Sequence, residues 1–186
     1  AKMGFEYAEK RSKKLCCVDK ANILETSRLW RETVQSMEKD YPNVKVSYEF
    51  VDAVAMRLIQ WPSSYDVLIT SNLFGDILTD EASVISGSIG LMPSASVGLD
   101  NALYEPIHGS YPEATGKKIA NPLASILSLS MMLDYTFNLK DEVKIINKAV
   151  ESSLVNGYTT PDLSKNQKSY STDQVGDYIV DYIQQN

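Results

Sequence analysis

Over the first 86 residues the apolar positions switch between two rhythms. In "SRLWRETVQSMEKDY", residues 27–41, Leu29, Trp30, Val34 and Met37 recur at helical spacing. "VKVSYEF", 44–50, alternates apolar with polar and predicts a strand, and "DAVAMRLIQW", 52–61, returns to a helix that Pro62 stops. Residues 14–18 and "DVLITS", 66–71, are short apolar runs of the kind buried in a sheet. Residues 5–14 read as the end of one helix and 73–86 as another. This alternation predicts an α/β fold with helices packed on a sheet.

The rhythm breaks at "GSIGLMPSASVGLDNALYEPIHGSYPEATGKK", 87–118, which is rich in Gly, Pro and Ser and predicts at most short strands. A loop region this long is usually functional. Beyond it the pattern is helical. Asn121 and Pro122 make an N-cap and first-turn pair, and "PLASILSLSMML", 122–133, reads as a buried helix. A second helix is predicted over 141–156 with Gly157 as its stop, and Thr172 is expected to cap a last one reaching about 184. There is no internal repeat and no low-complexity segment.

Composition narrows the partners. The 186 residues, 44% of them hydrophobic, suffice for a core in one compact domain or in parts of two. A net charge of −6 argues against a nucleic-acid surface, and the only basic cluster, "EKRSKK" at 9–14, reads as a helix C-terminus. The longest apolar stretch is too short to span a bilayer, so no membrane partner is expected. Cys16 and Cys17 are strand neighbours pointing to opposite faces, which disfavours a mutual disulfide. With no signal peptide at the start, they point to a reducing cytoplasm. The opening "AKMGFEYAEKRSKK" is already helical in pattern and lacks an initiator Met, so the chain is expected to be a piece of something longer.

A single histidine, His108, excludes a His-rich zinc site and a Cys/His finger on ligand count. No G-x-G-x-x-G follows a strand. "GSYPEATGKK" is no P-loop either, because the spacing is wrong and Lys118 stands where Ser or Thr is required. A carboxylate set remains. Asp76 and Asp80 are four apart, on one helix face with Cβ atoms roughly 5–6 Å apart, and they repel unless a cation joins them. Asp52 starts another helix directly after a strand. Oxygen-only ligands suit Mg²⁺ or Mn²⁺; the competing reading is that Asp76 and Glu81 simply meet the dipole of a first turn.

Lys20 and Asn22 in "CCVDKANIL" leave the end of a strand, where α/β sheets bind ligands. Lys20 is either an inert surface lysine or, near a metal and partly desolvated, a proton-transfer group. "HGSYPEATGKKIANP", 108–122, is either an ordinary interdomain loop or a cradle for a pyrophosphate at a helix N-terminus.

Three long motifs occur in order: "VDKANILETSRLWR", "SNLFGDILTDEASVISGSIGLMPSAS" and "LYEPIHGSYPEATGKKIANP", with "STDQVGDYIVDYI" near the end. On these the whole chain resembles the isocitrate/isopropylmalate dehydrogenase family of β-decarboxylating dehydrogenases. "VDKANIL", with Asp19, and "LMPSAS" resemble its isopropylmalate branch. The resemblance implies an α/β fold of sheet-and-helix layers, present as a fragment of a two-domain architecture. Residues 1–87 would be the later part of the central, dimer-forming domain, and 88–186 the C-terminal part of the outer, cofactor-binding domain. Family members also carry an N-terminal half with the arginines that clamp the substrate carboxylates, much of the isopropyl pocket and a catalytic tyrosine.

The resemblance also implies roles. Asp76 and Asp80 match metal-binding aspartates, and Asp52 matches a third that binds metal and substrate across a homodimer interface. Lys20 matches the catalytic lysine reaching into the neighbouring site, Asn22 a residue near the nicotinamide, and Ile23 a contact to the substrate's isopropyl group. Residues 109–121 match the NAD-binding loop, with His108 at its edge and Gly109, Ser110, Glu113, Gly116, Ile119 and Asn121 as cofactor contacts. Glu113 stands where the family usually has Asp; a carboxylate there accepts ribose hydrogen bonds and repels a 2′-phosphate, favouring NAD. The implied activity is the NAD- and Mg²⁺- or Mn²⁺-dependent oxidative decarboxylation of a 2-hydroxy dicarboxylic acid, 3-isopropylmalate, to 4-methyl-2-oxopentanoate in leucine biosynthesis. Alternatives are a related enzyme acting on isocitrate, homoisocitrate or tartrate, or a non-catalytic association fragment.

Overall fold

A computed structural model describes residues 1–164 and 168–186. The chain divides into two compact units, Ala1–Ile85 and Ser86–Asn186.

Unit 1 alternates as its sequence predicts: α1 (Lys2–Lys10), β1 (Lys14–Asp19), α2 (Glu25–Met37), β2 (Lys45–Phe50), α3 (Val51–Gln60), β3 (Val67–Ile69) and α4 (Asn72–Ser86). The three strands are parallel in the order β2-β1-β3, with Cys17 opposite Tyr48 on one side and Ile69 on the other. As the central strand, β1 is buried on both faces, which explains its unbroken apolar run. Leu15 and Cys17 pack with Phe5, Ala8 and Val34 on the α1/α2 side. Cys16 and Val18 pack with Val54, Leu58 and Leu78 on the α3/α4 side. The two thiols are therefore free and buried on opposite faces. α1 ends at Lys10, short of the predicted 14, and the chain turns through Lys13 at φ +61° to enter β1.

Unit 2 begins with a hairpin where the sequence predicts at most short strands. β4 (Pro93–Val97) and β5 (Ala102–Pro106) are antiparallel, pairing Pro93 with Pro106 and Val97 with Ala102. α5 (Leu123–Tyr135) packs on the hairpin and on α6 (Lys140–Val155), and α6 packs on α8 (Thr172–Gln185). Leu123, Ala149, Val150, Val175 and Ile179 form the core. Gly157, at φ +72°, supplies the left-handed residue that ends α6. The last cap differs from expectation by one residue. Ser171, not Thr172, closes a capping box with Gln174: its Oγ accepts from the Gln174 N–H at 3.3 Å, and its own N–H donates to Gln174 Oε1 at 2.9 Å. A short α7 (Pro161–Ser164) is an element that the apolar pattern does not announce. Among the described residues no helix is long and apolar enough to cross a membrane.

Burial pushes the Cys16 thiol up to about 11 and the Cys17 thiol up to about 12. Both stay protonated at neutral pH, Cys17 wholly buried and Cys16 only 4% exposed, and the thiolate is the reacting species. A thiol-exchange reagent at pH 8 should titrate neither cysteine in the folded protein and both in guanidinium; prompt labelling of either without denaturant contradicts this packing.

Candidate functional site

At the end of β1 the apolar run stops on a charge. Asp19 is fully buried, and an ionised carboxylate there persists only if paired and hydrogen-bonded. Arg31 of α2 supplies a two-pronged partner, Nε to Oδ2 at 2.7 Å and Nη2 to Oδ1 at 3.0 Å. The Ala21 N–H donates to Oδ1 at 2.8 Å. The guanidinium lies over the rings of Tyr48 and Phe50, with centroids at 5.5 and 5.3 Å. The turn between β1 and α2 is thereby fixed on either side of Lys20.

Lys20 projects from that turn and pairs its Nζ with Asp52 Oδ1 in the first turn of α3, 5.6 Å from the Phe50 ring centroid. The Lys20 hydrogen bond holds the Asp52 carboxyl below the usual carboxylate range. Asn22 and Ile23 follow on the exposed rim, Ile23 with 65% of its surface open.

Asp76 and Asp80 are both exposed, one turn apart on α4. Among the described residues neither forms an ion pair. α4 begins at Asn72 with no acidic residue in its first turn, so the helix-dipole explanation for Asp76 does not apply. No three acidic, His or Cys side chains cluster closely enough to hold a metal among the described residues, and Asp52 is thus not brought to Asp76 and Asp80 within one chain. Two adjacent oxygen-only ligands fit a hard cation that takes its remaining ligands elsewhere.

In unit 2 the 109–121 loop borders a cleft of about 650 Å³ with Ser88, Gly90, His108, Tyr111, Asn121 and Asp162 in its wall. His108 sets Nδ1 3.0 Å from the Gly109 carbonyl. Ser110 and Glu113 are exposed, Glu113 on the single turn Pro112–Ala114, and Ile119 also faces the cleft. Gly116, at φ +74°, and Lys118, at φ +54°, both adopt the left-handed conformation that turns the loop. A side chain added at Gly109 or Gly116 would meet nothing within 4 Å, so the backbone there is open to a ligand.

Two anchors hold the loop. At the start of α8, the Thr172 N–H donates to the Lys118 carbonyl at 2.9 Å and Thr172 Oγ1 to the Ala120 carbonyl at 2.6 Å. Lys118 Nζ also reaches Asp173 Oδ2 at 2.5 Å. At the other anchor, Asn121 Oδ1 accepts the Leu123 N–H at 2.9 Å, starting α5 one residue later than predicted, while Nδ2 donates to Asp162 Oδ2 at 3.0 Å. Burial raises the Asp162 pKa, but hydrogen bonds from Ser88, Thr160 and Asn121 outweigh it, and the net direction is down. The motif reading of the sequence gives no site role to Arg31 or Asp162, and it takes Thr172 only as a helix cap, not as an anchor of the loop. The signal available for Asp162 is "TTPD", a Thr before Pro at a helix start, which marks a short helix and not a ligand site.

Residues 1–179 match the isocitrate/isopropylmalate dehydrogenase family. The chain belongs to that family. It is 54% identical over 183 residues to a 3-isopropylmalate dehydrogenase of Bacteroides fragilis, covering 98% of this chain and 52% of that protein. With a 3-isopropylmalate dehydrogenase of Aquifex aeolicus the identity is 50% over 182 residues, covering 97% and 50%. An isocitrate dehydrogenase structure from Methylococcus capsulatus aligns with a TM-score of 0.93 at 39% identity, covering 98% of this chain and 54% of that one. A β-decarboxylating dehydrogenase from Thermococcus kodakarensis aligns at 0.86 and 37%, covering 99% and 53%. The chain spans about half the length of the curated relatives it matches.

Replacing Arg31 strands a buried charge. Arg31→Met should lower stability by about 3–5 kcal/mol in urea denaturation, and adding Asp19→Asn should recover part of the loss. A change within about 0.5 kcal/mol would show that Asp19 does not depend on this partner.

Proposed function

We propose that the chain is the C-terminal half of an oxidoreductase that oxidises and decarboxylates 3-isopropylmalate to 4-methyl-2-oxopentanoate, using NAD and Mg²⁺ or Mn²⁺, in leucine biosynthesis in the cytoplasm. The observation that carries this reading is identity of 50–54%, over nearly the whole chain, to proteins named 3-isopropylmalate dehydrogenase. Unit 1 would then be the later part of a central dimer-forming domain and unit 2 the C-terminal part of a cofactor-binding domain.

The residues have parts suited to that chemistry. Asp76 and Asp80, exposed and one turn apart on α4, would hold the cation with Asp52 of a second chain. When bound, the cation supplies Lewis acidity for the substrate's 2-hydroxyl and for the charge left by the departing carboxylate, and NAD⁺ supplies the hydride acceptor. Lys20 handles the hydroxyl proton at Nζ, steadied by Asp52 and by the Asp19–Arg31 pair behind it. Asn22 would lie near the nicotinamide, and exposed Ile23 would offer apolar surface to the isopropyl group. In the loop, His108, Gly109, Ser110, Gly116, Ile119 and Asn121 would receive the dinucleotide, and Glu113 would accept from the ribose hydroxyls.

In the full-length enzyme, turnover should be much faster with 3-isopropylmalate than with isocitrate, and with NAD⁺ than with NADP⁺. Glu113→Lys should narrow the cofactor preference. Faster turnover of isocitrate would favour the sister activity, and equal use of NADP⁺ would remove Glu113 from the ribose.

Sharing of sites is tested by mixing two inactive full-length variants, Lys20→Ala and Asp76→Asn. A mixed dimer puts both lesions in one site and neither in the other. Random exchange should then restore about a quarter of wild-type activity, from the two-fold logic of an isologous dimer. No recovery after exchange confirmed by mass spectrometry means that each site is built from one chain.

A further inference from the structure

One carboxylate in unit 2 ties together three segments far apart in sequence. Asp162 Oδ1 accepts from Thr160 Oγ1 at 2.5 Å, and Oδ2 accepts from Asn121 Nδ2 at 3.0 Å and from Ser88 Oγ. Thr160 is 1% exposed, so Oδ1 is tied to a buried hydroxyl, while Asp162 itself is exposed on the cleft wall. Ser88 Oγ in turn accepts the Gly90 N–H at 3.0 Å. A Cβ at Gly90 would lie 2.6 Å from the Asn121 Cβ, so this backbone and the Asn121 side chain are in close apposition. The Asn121 amide is thus held at both ends, by Asp162 at Nδ2 and by the Leu123 N–H at Oδ1. Among the described residues no cation pairs with Asp162; its partners are three neutral donors, a set that orients groups more than it neutralises charge. Ser88, Gly90, Asn121 and Asp162 all border the 650 Å³ cleft.

We propose that Asp162 is the positioning residue of this cleft: through Asn121 and Ser88 it sets the far end of the 109–121 loop in the conformation that receives NAD. The proposal rests on the dinucleotide reading given above. Asp162 needs no contact with the cofactor. Without its acceptor the Asn121 amide turns or takes up water, the loop end gains freedom, and binding has to order it again. An asparagine at 162 preserves the array, because its oxygen can face Ser88 and Asn121 while its amide donates to the Thr160 hydroxyl, which rotates to accept.

The test uses the full-length enzyme with Asp162→Ala and Asp162→Asn, each checked for folding by circular dichroism. NAD binding is measured by calorimetry, and amide hydrogen exchange over 108–121 is measured without cofactor. Asp162→Ala should weaken NAD binding about tenfold, raise the KM for NAD more than it lowers kcat, and speed exchange in the loop. Asp162→Asn should bring affinity back to within about threefold of wild type. If the alanine variant does not fold, Ser88→Ala replaces it, with about threefold weaker binding and faster exchange expected. Unchanged exchange over 108–121, or unchanged affinity in a folded variant, overturns the proposal. A wild type that binds no dinucleotide overturns the functional reading instead, and loop exchange then decides by itself whether Asp162 positions the cleft.

Discussion

The buried Asp19 carboxylate governs how unit 1 presents its chemistry. A parallel strand covered on both faces leaves no room for water at its end, so a charge there must be met by protein groups. Arg31 meets it with two hydrogen bonds and itself lies over the aromatic rings of Tyr48 and Phe50 on β2. The consequence is geometric. One ion pair locks β1, α2 and β2 together at the carboxyl end of the sheet, and the next residue along the chain is Lys20. The ammonium of Lys20 then has a fixed root from which to reach Asp52 on the neighbouring helix. The exposed Lys20–Asp52 pair adds little stability on its own; its value lies in orienting Nζ.

Unit 2 solves a related problem with no buried ion pair among its described residues. Its loop of 109–121 is mostly exposed and includes two left-handed residues, so local preferences alone leave it with many conformations. Thr172 captures two of its carbonyls at the start of α8, and Asp162 captures the side chain that ends it. Both anchors come from segments far downstream. The loop is therefore shaped by helices packed on the shared core of Leu123, Val150, Val175 and Ile179.

Much of this was legible in the chain itself, because burial imposes a period. The unbroken run of β1, the alternation of β2 and the 3.6-residue repeat of α2 each record which faces must leave water. Gly157 and the residues around 171 mark helix ends because backbone groups there need a particular conformation or donor. The spacing of Asp76 and Asp80 likewise places them on one helix face in any fold that keeps α4 helical. What the period does not carry is distance between segments. Nothing local says that Arg31 pairs with Asp19, that Lys20 meets Asp52, or that Asp162 reaches Asn121 across 41 positions. Nor did the pattern place the start of α4 at Asn72, which moved Asp76 out of the first turn and removed the dipole as its explanation. Local spacing determined the elements and the faces of this protein; only tertiary packing decided its polar partners, because a hydrogen bond depends on positions in space that a one-dimensional pattern does not encode.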